Sequence, residues 1–591
     1  MSQPPKHLQR SSPSMPGVQP ARQDGGLAQA LALHRSGRLD EAGALYNRLL
    51  RADPEHEQVL ELMAAVLIQQ SRMPEAIRLM QRALGRHPRN INLLNNLGAA
   101  LLTLGRNEDA LRVLDRALAL DAKDPTARKN RGIANDRLRP SPAHAWHTRQ
   151  AICDWSDYEE GRQAILKDAP ADAPAHRPFL GLLIDDPLFQ LNTARRWAGQ
   201  TYAGRRRLFP EKRYSHERLR VGYFSSDFYN HAVMVLMSGV LARHDKQRFE
   251  VIGFSTGRHT NDAMRLHARR SMDQFIDVSR KPDEAIAHLA RSLEIDVAID
   301  LGGHTQDARP GVFSYGAAPV QINYLGYPGT MGTQFHDYIL ADQTIIPASH
   351  RQFFSEKVIT LPDTYQPTDA SRPIALEVGS RSDHDLPDRA VVFCCFNNPF
   401  KITPEVFGSW MRILNRVPHS VLWLLETLDV CTGNLRVQTR QAGIDPSRLV
   451  FAKRVHMPQH LARHALADLF LDTLPYNAHT TASDALFSGL PVLTRMGTTF
   501  SGRVAASLNR TMGLDELITN SIEDYEELAV ALALDPGRLR DLRLKVQSAR
   551  QTSALFNTDT FTRHLEAAIL AAHQRCHDGL MPDHIEIGRR S

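Results

Sequence analysis

The sequence predicts an α-helical repeat arm followed by an α/β region built as two Rossmann-like lobes. Three observations predict it. A 34-residue self-similarity runs through the chain before residue 140, strand–helix alternation begins near residue 218, and the same alternation starts again beyond a polar stretch at 376–388.

In the arm, Gly37, Ser71 and Gly105 stand 34 residues apart, as do Ala42, Ala76 and Ala110, and Leu50, Leu84 and Leu118. The aligned cores read SGRLDEA, QSRMPEA and LGRNEDA; Pro54 and Pro88 close the first two units, and Asp121-Ala122 stands there in the third. A period of this length, with small residues at helix crossings and proline at the end, resembles the tetratricopeptide repeat. Each unit is a helix pair that cannot bury its apolar face alone, so neighbours must stack. About three repeats are expected over 28–140, behind a Pro-, Ser- and Gln-rich leader at 1–27 read as disordered. Stacked repeats make a concave surface. Asn96 and Asn130 hold equivalent places in it. An amide both donates and accepts, so such a ladder suits an extended peptide backbone; two solvated helix residues is the competing reading.

Residues 141–217 read as a helical bridge, with Trp146 and Trp155 expected to pack between repeats and lobes. In the first lobe, 218–375, LRVGYF, FEVIGFS, IDVAIDL, VQINYLG and DYILAD read as strands and DEAIAHLARSL as a helix. In the second, 376–575, AVVFCCF, SVLWLLE, RLVFAK, LFLDT and PVLT read as strands; EVFGSWMRILNRV, HLARHALA and the segment from Thr481 read as helices. Alternation of this kind implies parallel sheets with crossover helices and ligands at the carboxyl ends of strands. The segment 536–574 reads as helical and 576–591 as a loose tail.

Bulk properties exclude several classes. A chain of 591 residues is too long for one core and implies about three or four domains. Hydrophobic residues at 42% and charged residues at 23% fit a soluble globular protein, and no run of 18 apolar residues spans a membrane. Net charge is +6, with the basic residues spread out, so nucleic acid is not the expected partner. The five cysteines show neither metal-ligand nor disulfide spacing and fit a reducing cytoplasm. The 26 histidines include no HExxH pair, and neither GxGxxG nor a Walker A motif occurs. No metal and no bound cofactor is expected.

Four segments carry chemistry. In LFLDTLPYNAHTTASDALFSGLPVLT, a strand ends at Asp472-Thr473 and His479, Thr480 and Thr481 open a helix. Free amides at a helix start, the dipole and two hydroxyls suit a diphosphate; an ordinary threonine cap is the competing reading. Asp484 lies one turn in, placed to accept from ribose hydroxyls. In CCFNNPFKITPEVF, Lys401 follows the first strand of the second lobe, where it can neutralise charge on a leaving diphosphate. In VGYFSSDFYNH, His231 lies beyond the first strand of the first lobe, and histidine is a base near neutral pH. LGGHT, with His304, and LGYPGTMG, with Gly332, end further strands, where glycine permits close backbone approach.

Taken together these segments resemble the nucleocytoplasmic O-GlcNAc transferase family, which includes the plant SPINDLY-type O-fucosyltransferases. SSDFxxH, LGYPGTxG, FNNxxKI, SVLWLL, DTxPYNxHTTxSDAL and RVAAS occur in family order over about 218–565, and ICDWSDYEE in the bridge is shared. The resemblance implies a GT-B-type fold of two Rossmann lobes and a metal-free, inverting transfer of N-acetylglucosamine from UDP-GlcNAc to Ser or Thr of proteins held by the arm. It further implies Lys401 on the donor diphosphate, with Asn398 where the family often has Gln. By the same likeness His479, Thr480 and Thr481 form the diphosphate loop, Asp484 is the ribose carboxylate, and His460 and Arg463 lie on the uridine side. Val455, His456 and Met457 form the segment whose backbone reads the base; Met457 replaces a lysine of animal members. His231 matches a cleft histidine proposed as base, and Gly332 a glycine near the acceptor. The large insert between the lobes of animal enzymes is absent, as in bacterial members. GDP-fucose is the competing donor, favoured by KITP and GGHT. The HTTASDAL loop favours the GlcNAc type, because the fucosyl type carries Glu in place of Asp484. A non-catalytic repeat scaffold is the competing class, opposed by the joint presence of Lys401, His479 and Asp484.

Overall fold

A computed structural model describes residues 21–35, 38–70, 72–138, 142–167, 175–205, 207 and 214–589. The chain divides into two compact units, Met1–His144 and Ala145–Ser591. Among the described residues, no helix is long and apolar enough to cross a membrane.

The first unit is all-helical: α1 (Ala21–Arg35), α2 (Leu39–Ala52), α3 (Glu57–Gln69), α4 (Met73–Arg86), α5 (Ile91–Thr103), α6 (Asn107–Leu120) and α7 (Pro125–Leu138). α1/α2, α3/α4 and α5/α6 are the packed pairs, and α7 lies against both α5 and α6. The periodic alanines explain the stacking, since Ala42, Ala76 and Ala110 are fully buried. At Gly98 a Cβ would come within 2.6 Å of Leu114, so α5 and α6 cross closer than any side chain at that position would allow. Of the three aligned turn residues, Gly105 adopts φ +72°, while Gly37 and Ser71 lie outside the described residues. Asn96 on α5 and Asn130 on α7 are half-buried. Residues 1–20 of the expected leader lie outside the described residues, and its remainder, 21–27, is the start of α1 rather than leader.

The second unit holds two wholly parallel sheets. The first contains β1 (Leu219–Ser225), β2 (Phe249–Ser255), β3 (Gln274–Asp277), β4 (Val297–Asp300), β5 (Val320–Asn323), β6 (Tyr338–Asp342) and β7 (Lys357–Leu361). The second contains β8 (Val391–Cys395), β9 (Ser420–Leu425), β10 (Leu449–Ala452), β11 (Leu469–Leu471), β12 (Val492–Arg495) and β13 (Ile518–Thr519), and β14 (Ile585–Glu586) returns to the first. Their orders are β14-β7-β6-β5-β4-β1-β2-β3 and β10-β9-β8-β11-β12-β13. The central strands are buried on both faces, as crossover connections require, so they read as continuous apolar runs.

Both orders reverse once. In the first sheet the chain leaves β1 through β2 and β3, then crosses to the other side at β4; in the second it leaves β8 through β9 and β10, then crosses at β11. Such a reversal opens a crevice at the carboxyl ends of the two strands, where ligands of open α/β sheets bind. The loops that bear His231, His304, Lys401 and His479 all leave these four strands.

Two expectations about the chain's end are corrected. The region 576–591 is not a loose tail: β14 pairs with β7, Ile585 opposite Ile359 and Glu586 opposite Thr360. The region up to 575 does not all belong to the second lobe, because the Thr558–His577 helix packs on the Ala232–Arg243 helix of the first. Burial drives that crossing, with Leu565, Ala568 and Ile569 fully covered. A buried chain fixes its register: Tyr223 Oη and His244 Nε2 lie 2.9 Å apart, His244 Nδ1 is 3.0 Å from Glu566 Oε1, and the Asp245 amide donates to the same oxygen at 2.8 Å.

Candidate active site

Helical and turn segments between 145 and 205 brace the second lobe. Trp146 is buried and donates from Nε1 to Tyr158 O at 2.9 Å, and Trp155 packs on Phe407 with ring centroids 5.4 Å apart. Trp155 also donates to Gln150 Oε1 at 3.0 Å, and Gln150 Nε2 donates to Phe400 O and Ile402 O at 2.9 and 2.7 Å. The two carbonyls flank Lys401, so the bridge motif fixes the 3-10 turn Pro399–Lys401 that carries the lysine.

Lys401 points across the β8/β11 crevice. Its Nζ donates to Asn477 O at 2.6 Å and lies 3.9 Å from the centre of the Tyr476 ring. Burial draws its pKa down to about 8, against the pull of the Asp472 carboxylate. Asp472, buried at the end of β11, is shifted the other way by the same desolvation, while Thr494 Oγ1 and the amides of Thr473 and Ala478 donate to it. A cation and an anion that both lack solvent hold each other in place.

Beside this pair the Thr480–Phe487 helix begins. The His479 side chain does not cap it; its Nε2 is 3.1 Å from Ser501 O, and burial, then Lys401, keeps the ring neutral. Thr481 Oγ1 donates to Asn397 Oδ1, and Asn397 Nδ2 donates to Thr473 Oγ1 at 2.7 Å, so the two crevice loops are tied directly. Thr480 and Thr481 are half-buried, and Asn398 is exposed with its Oδ1 accepting from the Phe400 amide. A helix start with free amides, two hydroxyls and a lysine concentrates positive potential at one spot, which is what a diphosphate requires.

Further along the crevice, Arg463 Nη2 is 2.6 Å from His460 Nδ1, and burial pushes the His460 pKa far down, so this ring is a neutral partner. Val455 and His456 are exposed beyond β10, and Met457 starts the Met457–Arg463 helix. Asp484 is engaged inside the protein: Arg372 Nη1 donates to its Oδ1 at 2.5 Å, and both side chains are only 4% exposed. Arg372, Asp472 and Asn477 were not among the expected site residues. Asp472 had a signal, a carboxylate directly at a strand end; Arg372 had none, standing 112 residues from its partner.

On the first lobe, His231 caps the Ala232–Arg243 helix, its Nδ1 accepting from the Val233 amide at 3.4 Å and lying 3.7 Å from Asp227 Oδ2. Its side chain is 40% exposed, in the loop that leaves β1 beside the β1/β4 reversal. His304 is committed to its loop, Nε2 2.9 Å from Met331 O, and burial lowers its pKa to about 4. Gly332 has φ +65°, and a Cβ there would lie 2.3 Å from the backbone of Ala194 and Arg195. Its lack of a side chain is therefore required by packing on the Pro187–Thr201 helix. Glu356, buried, holds the same loop by accepting from the Met331 amide and Thr330 Oγ1.

Two parallel sheets, each with one reversal of strand order and the second with an anion-seeking crevice, define a two-lobed α/β protein with a helical repeat arm before it. The chain belongs to glycosyl transferase family 41, whose sequence profile matches 204–372 and 366–565. Tetratricopeptide-repeat profiles match 20–57 and 67–129. The chain is 33% identical over 466 residues to the probable UDP-N-acetylglucosamine–peptide N-acetylglucosaminyltransferase SEC of Arabidopsis thaliana, covering 75% of this chain and 48% of that protein. It is 26% identical over 568 residues to the UDP-N-acetylglucosamine–peptide N-acetylglucosaminyltransferase of Caenorhabditis elegans, covering 74% and 49%. The chain thus spans about half the length of the curated relatives it matches. Among solved structures, a mutant O-GlcNAc transferase of Thermobaculum terrenum superposes with a TM-score of 0.63 at 26% identity, covering 96% of this chain and all of that one.

Proposed function

We propose that this protein transfers N-acetylglucosamine from UDP-GlcNAc to serine or threonine hydroxyls of proteins, with inversion and without a metal. One observation carries the reading: Lys401 and the uncapped start of the Thr480–Phe487 helix meet at the β8/β11 crevice. The names of the relatives support the donor.

In this scheme the diphosphate lies against the amides and hydroxyls of Thr480 and Thr481, beside His479, with Lys401 on the leaving oxygen. Asp484 takes the ribose, His460 and Arg463 the uracil side, and the backbone of Val455, His456 and Met457 the base edge. Asn398, exposed at the crevice, contacts the diphosphate side. The acceptor hydroxyl attacks C1 of the sugar from the first lobe, the C1–O bond to phosphate breaks, and UDP departs carrying the charge. His231 takes the hydroxyl proton at Nε2, which requires the tautomer with Nδ1–H turned to Asp227 in place of the long contact with the Val233 amide. His304, neutral and held by Met331, shapes the sugar side with the Gly332 loop. Asn96 and Asn130 hold the acceptor backbone in the arm, and the protein works in the cytoplasm.

The test is turnover of UDP-GlcNAc on a protein acceptor in EDTA, with thermal shifts for UDP, UDP-GlcNAc, GDP and GDP-fucose. A ligand that binds only the native state raises the melting temperature by mass action. UDP and UDP-GlcNAc are expected to stabilise most, and activity to survive chelation. Stabilisation by GDP-fucose instead would transfer the proposal to the fucosyl donor, and rescue by manganese after complete loss would refute the metal-free scheme.

A further inference from the structure

Arg372 belongs to neither crevice by sequence. It stands in the linker between β7 and β8, yet its guanidinium is buried against the second lobe. Three attachments fix it. Nη1 donates to Asp484 Oδ1 at 2.5 Å, Nε donates to Asp369 O at 3.2 Å, and Cζ lies 4.8 Å from the centre of the Phe487 ring. Asp369 is fixed in turn: its Oδ2 accepts from Ser238 Oγ of the Ala232–Arg243 helix at 3.1 Å, and its Oδ1 from the Ser371 amide and hydroxyl. Nη2 is buried with no hydrogen-bond partner. The guanidinium also lies close enough to His460 and His464 for its charge to act on both rings.

A buried carboxylate does not stay ionised and still without a cation. Asp484 is buried one turn inside the Thr480–Phe487 helix, and the guanidinium of Arg372 is the cation bonded to it. The geometry points to Arg372 as the positioning residue of the nucleoside subsite: it pairs with Asp484, aims that carboxylate at the ribose hydroxyls, and offers its unpartnered Nη2 to the same sugar. This rests on the nucleotide reading above. It adds that the ribose is recognised by an Asp–Arg pair whose second member comes from the interlobe linker, so a bound nucleoside bears on the segment joining the lobes.

The experiment measures the binding of UDP, 2′-deoxy-UDP and 3′-deoxy-UDP to the wild type, Arg372→Met and Arg372→Lys. The wild type is expected to lose affinity when one hydroxyl is removed. Arg372→Met is expected to bind UDP roughly tenfold more weakly, the worth of one hydrogen bond to a charged group. It should show little further loss with the matching deoxy analogue, because the interaction is already gone. With Asp484→Asn in the same protein, the Arg372→Met change should add almost nothing, the signature of coupled residues. Arg372→Lys keeps the charge and secures the comparison if the methionine variant does not fold; it is expected to retain the preference for UDP over the deoxy analogue. A folded Arg372→Met or Arg372→Lys protein that weakens UDP and both analogues by one common factor would show a merely structural role and overturn the inference. So would UDP binding unchanged in Arg372→Met. A wild type that binds no UDP would overturn the nucleotide reading and this inference with it, whereas UDP binding with a common-factor loss removes the inference alone.

Discussion

Lys401 is a buried ammonium held by a carbonyl, an aromatic face and a buried acid. A departing nucleoside diphosphate gains about one negative charge, and the helix start beside it offers only partial charge. Lys401→Met keeps most of the stem and removes the full charge. Turnover is expected to fall on the order of a hundred- to a thousandfold, more than UDP affinity falls, because the charge grows as the bond breaks. A folded variant within about threefold of wild-type kcat would assign that charge to another group. The same lysine sets a pH limit. Its pKa is drawn down to about 8, and the protonated form is the useful one. kcat/KM, which reports the free enzyme, should therefore fall as pH rises through about 8, and a profile flat from pH 7 to 10 would contradict this.

Single residues differed in how far the sequence revealed them. Lys401 and the His479–Thr481 turn were legible because each follows an apolar strand and opens a helix within a few positions. Asp484 was legible as an acid one turn in, but its partner was not. Arg372 stands in a linker without periodicity, and only the fold carries it to the carboxylate. Gly332 was read as a glycine beside an acceptor; what the structure shows there is a steric demand from a helix more than a hundred residues earlier in the chain.

At the scale of elements, most apolar strands declared themselves, even the three-residue β11, although β7 (KVITL), buried and apolar, did not. LRVGYF and SVLWLL became β1 and β9, whereas β3 (QFID), β13 and β14 are too short or too polar to stand out. Their pairing is imposed by the neighbouring strand. The contact between the 325–332 loop and the Pro187–Thr201 helix has a measurable consequence. Gly332→Ala meets two costs, a left-handed φ and a Cβ at 2.3 Å from backbone atoms that cannot rotate away. The expected loss is about 1–3 kcal/mol, read as a lowered denaturant midpoint with an unchanged slope. An unchanged midpoint would mean that the bridge helix shifts freely.

At the scale of the whole molecule, the arm and the two-lobed unit divide the labour in the proposed function. The residues assigned to the donor, from His304 and Arg372 to Asp484, all lie beyond the arm, and the repeats present the surface for an acceptor. Deleting residues 1–135 is expected to leave the UDP dissociation constant within about twofold and to cut glycosylation of a protein acceptor by at least tenfold, since tethering an acceptor raises its effective concentration. Equal glycosylation rates with and without the arm would remove it as the acceptor clamp. The division of the chain into arm, first lobe and second lobe was legible from the period and the two runs of alternation. The return of the Thr558–His577 helix and β14 to the first lobe was not, because nothing local in a helical sequence says which of two hydrophobic surfaces it will cover.

That return also sets an order of events during synthesis. The first lobe's sheet lacks its β14 edge, and its Ala232–Arg243 helix lacks its cover, until residues 558–586 have left the ribosome. The second lobe, whose six strands all lie between 391 and 519, can close earlier. The lobe made first is thus finished last. While it waits, the β7 edge and the apolar bed for Leu565 and Ile569 stand open to chaperones or to the neighbouring chain on a polysome.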